Sequence, residues 1–106
     1  MEVMLWVKIE KPAETGNKDF FEVWRQESVA ALEAVKAGVI KNIWKVAGKF
    51  EVIVVLDVNA GDDLDAIIHS LPIWKLGYAH IAKDISWTIL RPYANWAEQL
   101  KELSKG

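Results

Sequence analysis

The stretch Lys41–Val58 reads KNIWKVAGKFEVIVVLDV and decides the fold. Two runs rich in β-branched and aromatic residues flank Ala47-Gly48-Lys49, where glycine can adopt the positive φ that a tight turn needs. The stretch therefore predicts a central β-hairpin. Apolar residues occupy both parities of its second strand, with Phe50, Val52, Val54 and Leu56 on one side and Ile53 and Val55 on the other. Because neither side is patterned for water, we expect the second face to meet a partner subunit or a ligand.

The residues before the hairpin predict a strand and a long helix. The strand spans Glu2–Glu10, because Val3, Leu5, Val7 and Ile9 alternate with Met4, Trp6 and Lys8. Asn17 is a suitable N-cap for a helix over about residues 18–37, and Gly38 suits the position after its end. At helical spacing, one apolar stripe contains Phe20, Val23, Trp24, Ala31, Ala34 and Val35.

Glu27 interrupts this apolar stripe. A carboxylate there would be desolvated unless it is paired or lines a cavity, and burial would raise its pKa toward the range of a general acid or base near neutral pH. In the alternative interpretation, Glu27 pairs with Arg25 or Lys45, or reaches solvent at a helix kink. Glu27 is therefore the strongest catalytic candidate that the residues themselves indicate.

The rest of the chain completes the architecture. The hairpin's first strand is expected over Val39–Val46, with Ile40, Asn42, Trp44 and Val46 on one face. A short helix is expected over about Asp63–Ser70, ended by Pro72, then a strand over Tyr78–Leu90 and a last helix capped by Asn95. The order β-α-β-β-α-β plus a C-terminal helix predicts one ferredoxin-like α+β domain over residues 1–106, with a four-stranded antiparallel sheet and its main helices on one face. The uncovered face predicts a homo-oligomer built on a dimer.

Composition excludes several classes of function. The 106 residues are 52% hydrophobic, enough for one core, and a net charge of −2 with 13 basic and 15 acidic residues disfavours nucleic-acid binding. The absence of cysteine, of a signal peptide and of a membrane span suggests the cytoplasm. No phosphate-binding or zinc motif occurs, and His69, His80 and the acids at Asp62–Asp65 are read as structural, so no metal or cofactor is expected. Six tryptophans indicate either a Trp-rich core and dimer interface or an aromatic ligand site.

An ordered set of motifs resembles the muconolactone delta-isomerase family over roughly residues 4–74. The motifs are Gly38, Ile43-Trp44-Lys45-Val46-Ala47-Gly48-Lys49-Phe50, Leu56-Asp57-Val58, Leu64 and Leu71-Pro72-Ile73-Trp74. The resemblance implies a dimeric α+β barrel, assembled up to a decamer, and cofactor-free proton transfer on a small unsaturated lactone.

The same resemblance assigns candidate site residues. Counting back from Trp44, the catalytic helix acid of the family falls on Glu27, and a first-strand lysine that could bind a substrate carboxylate falls on Lys8. Trp6, Asp65 and Gln26 stand where the family has two histidines and an acid, which suggests a broader, more aromatic pocket. The expected substrate-binding residues are Trp6, Lys8, Phe20, Trp24, Trp44, Leu71, Trp74 and His80, with an oxyanion donor from Lys8, the Trp44 N–H or His80.

Three functions stay open at this point. The first is a cofactor-independent isomerase in which Glu27 moves a proton on a lactone or related cyclic substrate. The second is a cofactor-free oxygenase or cyclase acting on aromatic substrates, which oxygen consumption would reveal. The third is a non-catalytic ligand-binding or assembly module, which predicts no cavity beside Glu27.

Overall fold

The computed structural model describes residues 1–106, apart from the side chain of Ile73 in the predicted apolar segment 71–74. Four strands form one antiparallel sheet in the order β2-β3-β1-β4. The elements in chain order are β1 (Glu2–Ile9), α1 (Asn17–Lys36), β2 (Ile40–Lys45), β3 (Glu51–Asp57), α2 (Gly61–Ser70), α3 (Pro72–Lys75), a 3₁₀ turn (Ala79–Ile81), β4 (Ala82–Leu90) and α4 (Tyr93–Leu103). This topology confirms the predicted ferredoxin-like α+β fold with an extra C-terminal helix.

The core lies on the helix-facing side of β1 and β3. Val3 pairs with Leu56 on one side and with Ile89 on the other, so alternate residues of three strands share one face. The buried residues of this cluster are Val3, Leu5, Ile40, Val54, Leu56 and Val58. Ile53 and Val55 alternate with them and lie on the opposite face of β3, as the two-sided apolar pattern predicted. We call this opposite side of the sheet the open face.

Glycine ends α1 as predicted. Gly38 has φ +81°, its N–H donates to the Val35 carbonyl, and the Val39 N–H donates to the Ala34 carbonyl. These are the two bonds of a Schellman motif, which satisfies carbonyls that the helix leaves unpaired. The predicted N-cap is wrong by one residue, because Gly16 is the N-cap and Asn17 is already helical.

The predicted stripe of α1 is buried at its N-terminal end. Phe20 and Val23 are buried, whereas Trp24, Ala31 and Ala34 are partly buried. Val35 is exposed and does not belong to the core, because it lies at the edge of the stripe, whereas the neighbouring Ala34 packs against the core.

The hairpin forms with a correction to its first strand. Gly48 has φ +79°, which confirms the predicted tight turn. In β2 the register shifts between Ile40 and Asn42, so Ile40 faces the helices opposite Leu56 while Asn42 lies opposite Val55 on the open face. The prediction that these two residues share a face is wrong, because a β-bulge inserts an extra residue and reverses the parity after it.

The helix α2 begins earlier than expected, and a short helix α3 follows it. α2 begins at Gly61, and the Asp63 carboxylate accepts hydrogen bonds from the Asn59 and Ala60 N–H groups (2.9 and 3.2 Å), which stabilises its first turn. Pro72 starts α3, where its missing N–H costs nothing, after α2 has ended at Ser70.

The last strand and helix also differ in their limits. β4 is shorter than predicted because residues 79–81 form a 3₁₀ turn. The last helix begins at Tyr93 with Pro92 as its N-cap, so Asn95 lies inside the helix and the predicted cap is wrong.

Candidate active site

A cavity of about 560 Å³ lies between α1, α2 and the helix-facing side of the sheet. Most of its lining is aliphatic, since the inward residues of three strands form its floor and small residues of α1 form its roof. The floor and roof residues are Leu5, Val7, Ile9, Ile40, Ile43, Val52, Val54, Leu56, Ala30, Ala31 and Ala34. Small-molecule sites in proteins range from about 300 to 1,000 Å³ and are mostly apolar with a few polar groups. The cavity therefore has the size and character of a ligand site.

Glu27 lines this cavity from α1. It follows Trp24 by three residues and precedes Ala31 by four, so the three side chains lie on one face of the helix. Its exposure is intermediate, and no polar or charged residue in the described part of the chain is fully buried. The carboxylate thus borders an apolar space, as expected, without being removed from water.

Three further polar side chains line the cavity and were missed as site residues. They are Ser28, Lys45 and Ser70. The Lys45 ammonium donates to the Val46 carbonyl at 3.1 Å. Lys45 could have been identified from the sequence, because it lies two residues after Ile43 in β2 and therefore on the same, helix-facing side of the strand. The two serines carry no signal, since each follows from where a helix surface meets the cavity.

Four predicted site residues border the cavity: Trp24, Glu27, Trp44 and Leu71. The main chain and the side chain of Trp44 lie in different surroundings. Trp44 lies opposite Ile53 in the β2–β3 register, and its neighbours Ile43 and Lys45 take the helix-facing positions. Successive strand side chains point to opposite faces. Trp44 therefore reaches the cavity with its main chain, and its half-exposed indole belongs to the open face.

Two predicted residues, Trp6 and Lys8, lie on the open face, away from the cavity of their own chain. Trp6 lies opposite Ile53, and its indole N–H donates to the Glu51 carboxylate at 2.7 Å. Lys8 lies between Glu51 and Asp84 in the two registers. Both belong to the surface for which a partner was expected.

The remaining predicted residues occupy three other places. Phe20 is fully buried and packs against Trp24 and Phe50 at ring-centroid distances of 6.0 and 5.8 Å, so it is a core residue. Trp74 is exposed and contacts the His69 ring at 5.2 Å. His80 stacks on Tyr78 at 6.0 Å and lines a separate depression of about 190 Å³ with Glu10, Pro12 and Lys83.

Two ion pairs shift pKa values on the surface, away from the cavity lining. Two hydrogen bonds from the Arg25 guanidinium (2.7 and 2.8 Å) lower the pKa of the exposed Glu22 carboxyl. A hydrogen bond to Glu2 (2.9 Å) raises the pKa of Lys41. Among the described residues, no three His, Cys, Asp or Glu side chains cluster as metal ligands would. No helix in the described chain has the length and apolar content required to cross a membrane.

The fold and the cavity together define a class, a ferredoxin-like α+β domain with an apolar pocket and one acid between its long helix and its sheet. Comparisons with known proteins are consistent with this class. The muconolactone delta-isomerase family model matches residues 1–95, so the chain belongs to that family. Among solved structures, the crystal structure of muconolactone isomerase at 3.3 Å resolution is similar with a TM-score of 0.71 and 18% identity, covering 87% of this chain and 90% of the other. A comparison with curated proteins found no match.

Proposed function

We propose that this protein is a cofactor-independent isomerase of aromatic catabolism that moves a proton on a small unsaturated lactone or related cyclic substrate. Membership of the muconolactone delta-isomerase family supports an isomerase-like role. The proposal of proton transfer on a lactone rests on the position of Glu27, an acid on the wall of an otherwise largely apolar cavity of about 560 Å³.

In the proposed reaction the Glu27 carboxylate acts first as base and then as acid. It removes the proton from the ring carbon next to the C=C bond, γ to the carbonyl, and the electron pair of that C–H bond moves through the C=C bond into the ring carbonyl to give a dienolate. Glu27 then returns the proton to a different carbon, the double bond shifts, and the carbonyl re-forms. Substrate and product have the same atoms and the same oxidation level, so the reaction needs no redox partner.

The enolate needs a donor, and Lys45 is the cation that lines the cavity. Lys45 is exposed, so its ammonium would approach the enolate from the rim of the cavity, where a positive charge stabilises the developing negative charge. We therefore assign the electrophilic role to Lys45, because the Ser28 and Ser70 hydroxyls already donate to the Arg25 and Ile67 carbonyls. Lys8 and His80, which were predicted from the sequence as candidate donors, lie away from this cavity, and Trp24 and Leu71 form its walls.

We further propose that the working form is a homo-oligomer in which two open faces meet. Met4, Trp6, Ile53 and Val55 lie there among polar residues, and no helix of the chain covers this side of the sheet in the described structure. Apolar side chains of this size in a row are typical of a protein interface.

The size of the cavity favours a second candidate, an aromatic substrate larger than a single lactone ring. A cavity of about 560 Å³ is well within the range of drug-sized ligands. Oxygen consumption with phenolic substrates would identify the cofactor-free oxygenase alternative, whereas turnover of a bicyclic lactone without oxygen would support isomerisation.

The test is proton exchange measured by NMR in D₂O, with muconolactone and unsubstituted butenolides as substrates. Glu27→Gln removes the proton carrier with little change of shape, and we expect deuterium incorporation and isomerisation to fall by about 10²–10⁴-fold. Glu33→Gln is the matched control, because Glu33 lies on the same helix, is exposed and forms a surface ion pair with Lys36. Circular dichroism shows whether both variants fold. Equal rates in the two variants would refute the role of Glu27.

A further inference from the structure

The C-terminal helix α4 stands apart from the domain. Among the described residues, neither buried cluster includes a residue of Tyr93–Leu103, and Tyr93, Leu100 and Leu103 are exposed. The radius of gyration is 16.9 Å, against about 13 Å for a compact chain of this length, and the longest axis is 60 Å. The family match ends at residue 95, so most of α4 also lies beyond it.

The helix is nevertheless amphipathic. Tyr93, Trp96, Leu100 and Leu103 fall on one side at spacings of three and four, and three of them are exposed. The other side carries two ion pairs, Glu98–Lys101 at 2.9 Å and Glu102–Lys105 at 3.2 Å. Isolated helices shorter than about 12–15 residues are marginal in water, so an 11-residue helix needs its apolar side covered.

Arg91, at the junction between β4 and α4, contacts two side chains of the helix. The Arg91 guanidinium lies 5.7 Å from the Trp96 ring centroid and donates to the Gln99 side-chain oxygen at 3.1 Å. Pro92 follows, and its ring restricts φ. These contacts tie α4 to the end of β4, and the 60 Å long axis of the molecule indicates that α4 extends from the sheet as an arm.

The same chain has an uncovered apolar row of matching character. Trp87 and Ile89 of β4 lie on the helix-facing side, opposite Leu5 and Val3. They are 37% and 70% exposed, because the helices cover the other three strands and leave this edge free. Three turns of helix are about 16 Å long, which fits along the nine residues of β4.

We propose that α4 packs on the Trp87–Ile89 row of a second copy of this chain, and that the second copy returns the contact. A two-fold interface pairs the same two surfaces twice, so a chain that carries both the arm and the row is complementary to itself. Covering an aromatic side chain fully buries about 150–250 Å², so two arms and two rows together bury roughly 1,000 Å², about the minimum for a specific interface. The inference does not depend on the proposed reaction.

The chain has no cysteine, which allows a direct cross-linking test. An Ile89→Cys chain and a Leu100→Cys chain, carrying different tags, are co-expressed and oxidised. The expected result is a disulfide between the two tagged chains. In the matched control, Glu98→Cys replaces Leu100→Cys and puts the thiol on the polar side of α4. No cross-link with Leu100→Cys, or an equal yield with Glu98→Cys, would overturn the proposal.

A second measurement does not rely on introduced thiols. Leu100→Gln with Leu103→Gln weakens the apolar side of α4, whereas Glu98→Gln with Glu102→Gln changes its polar side at similar helix propensity. By sedimentation equilibrium, we expect the first pair to raise the dissociation constant of the dimer by about 100-fold or more and the second to leave it nearly unchanged. An unchanged constant for the first pair, or a wild-type chain that is monomeric at all concentrations, would contradict the exchange. Loss of isomerase activity alone would not bear on it.

Discussion

Leu56→Ala tests whether the helix-facing side of β3 is the energetic centre of the fold. The Leu56 side chain is 1% exposed, lies opposite Val3 and Ile40, and also borders the cavity. Truncation to alanine removes three carbon atoms from a buried position. At about 0.8 kcal/mol for each buried methylene, the transfer of these atoms alone accounts for about 2.4 kcal/mol.

The new void adds to this cost. Leu→Ala substitutions in well-packed cores cost about 3–5 kcal/mol in total. Because Leu56 already faces a cavity, the space left by its methyl groups joins an existing void, and fewer packing contacts are lost. We therefore expect a decrease in the free energy of unfolding of about 3 kcal/mol, at the low end of that range, and a fall in Tm of about 12–20 °C.

The assay is urea unfolding followed by circular dichroism, at one protein concentration for all variants because association contributes to apparent stability. Leu32→Ala is the matched control, since Leu32 is 57% exposed and its truncation should cost about 1 kcal/mol or less. A loss below 1 kcal/mol for Leu56→Ala, or a loss no larger than that of Leu32→Ala, would refute the assignment of the core.

Two further predictions concern the backbone and the surface charges. Gly48→Ala should destabilise the hairpin by about 1 kcal/mol, because φ is +79° at this position. Gly61→Ala at the start of α2 is the control and should be neutral or slightly stabilising. The measurement is the difference in Tm between these two variants. The lowered pKa of Glu22 means that its pair with Arg25 stabilises the fold above the ordinary carboxyl pKa of 4.5, and that this contribution is lost as pH falls through the folded pKa. Between pH 6 and pH 3, stability should therefore decrease more in the wild type than in Arg25→Gln, and parallel pH profiles would contradict the linkage.

Local sequence patterns were sufficient for the order of the elements and for much of the core. Alternation predicted which residues of β1 and β3 share a face, since side chains in a strand alternate regardless of what surrounds the sheet, but it did not predict which of the two faces meets the helices. Gly38 and Gly48 predicted the end of α1 and the turn of the hairpin, because both positions require a positive φ. Glu27 was marked by its place in an apolar stripe, and the cavity does lie beside it.

The tertiary structure decided which candidates share a site. The bulge in β2 depends on its pairing with β3. Counting alternate residues along the chain therefore placed Ile40 on the same face as Asn42, whereas in the structure Ile40 faces the helices. The six tryptophans look alike in sequence, yet Trp24 borders the cavity, Trp6 lies on the open face and Trp87 lies on an uncovered edge, because long-range packing assigns each strand and helix its neighbours. The exposure of α4 is likewise a property of the whole fold, since its sequence is that of an ordinary amphipathic helix and only the structure shows that its apolar residues lie outside the buried clusters of the described chain.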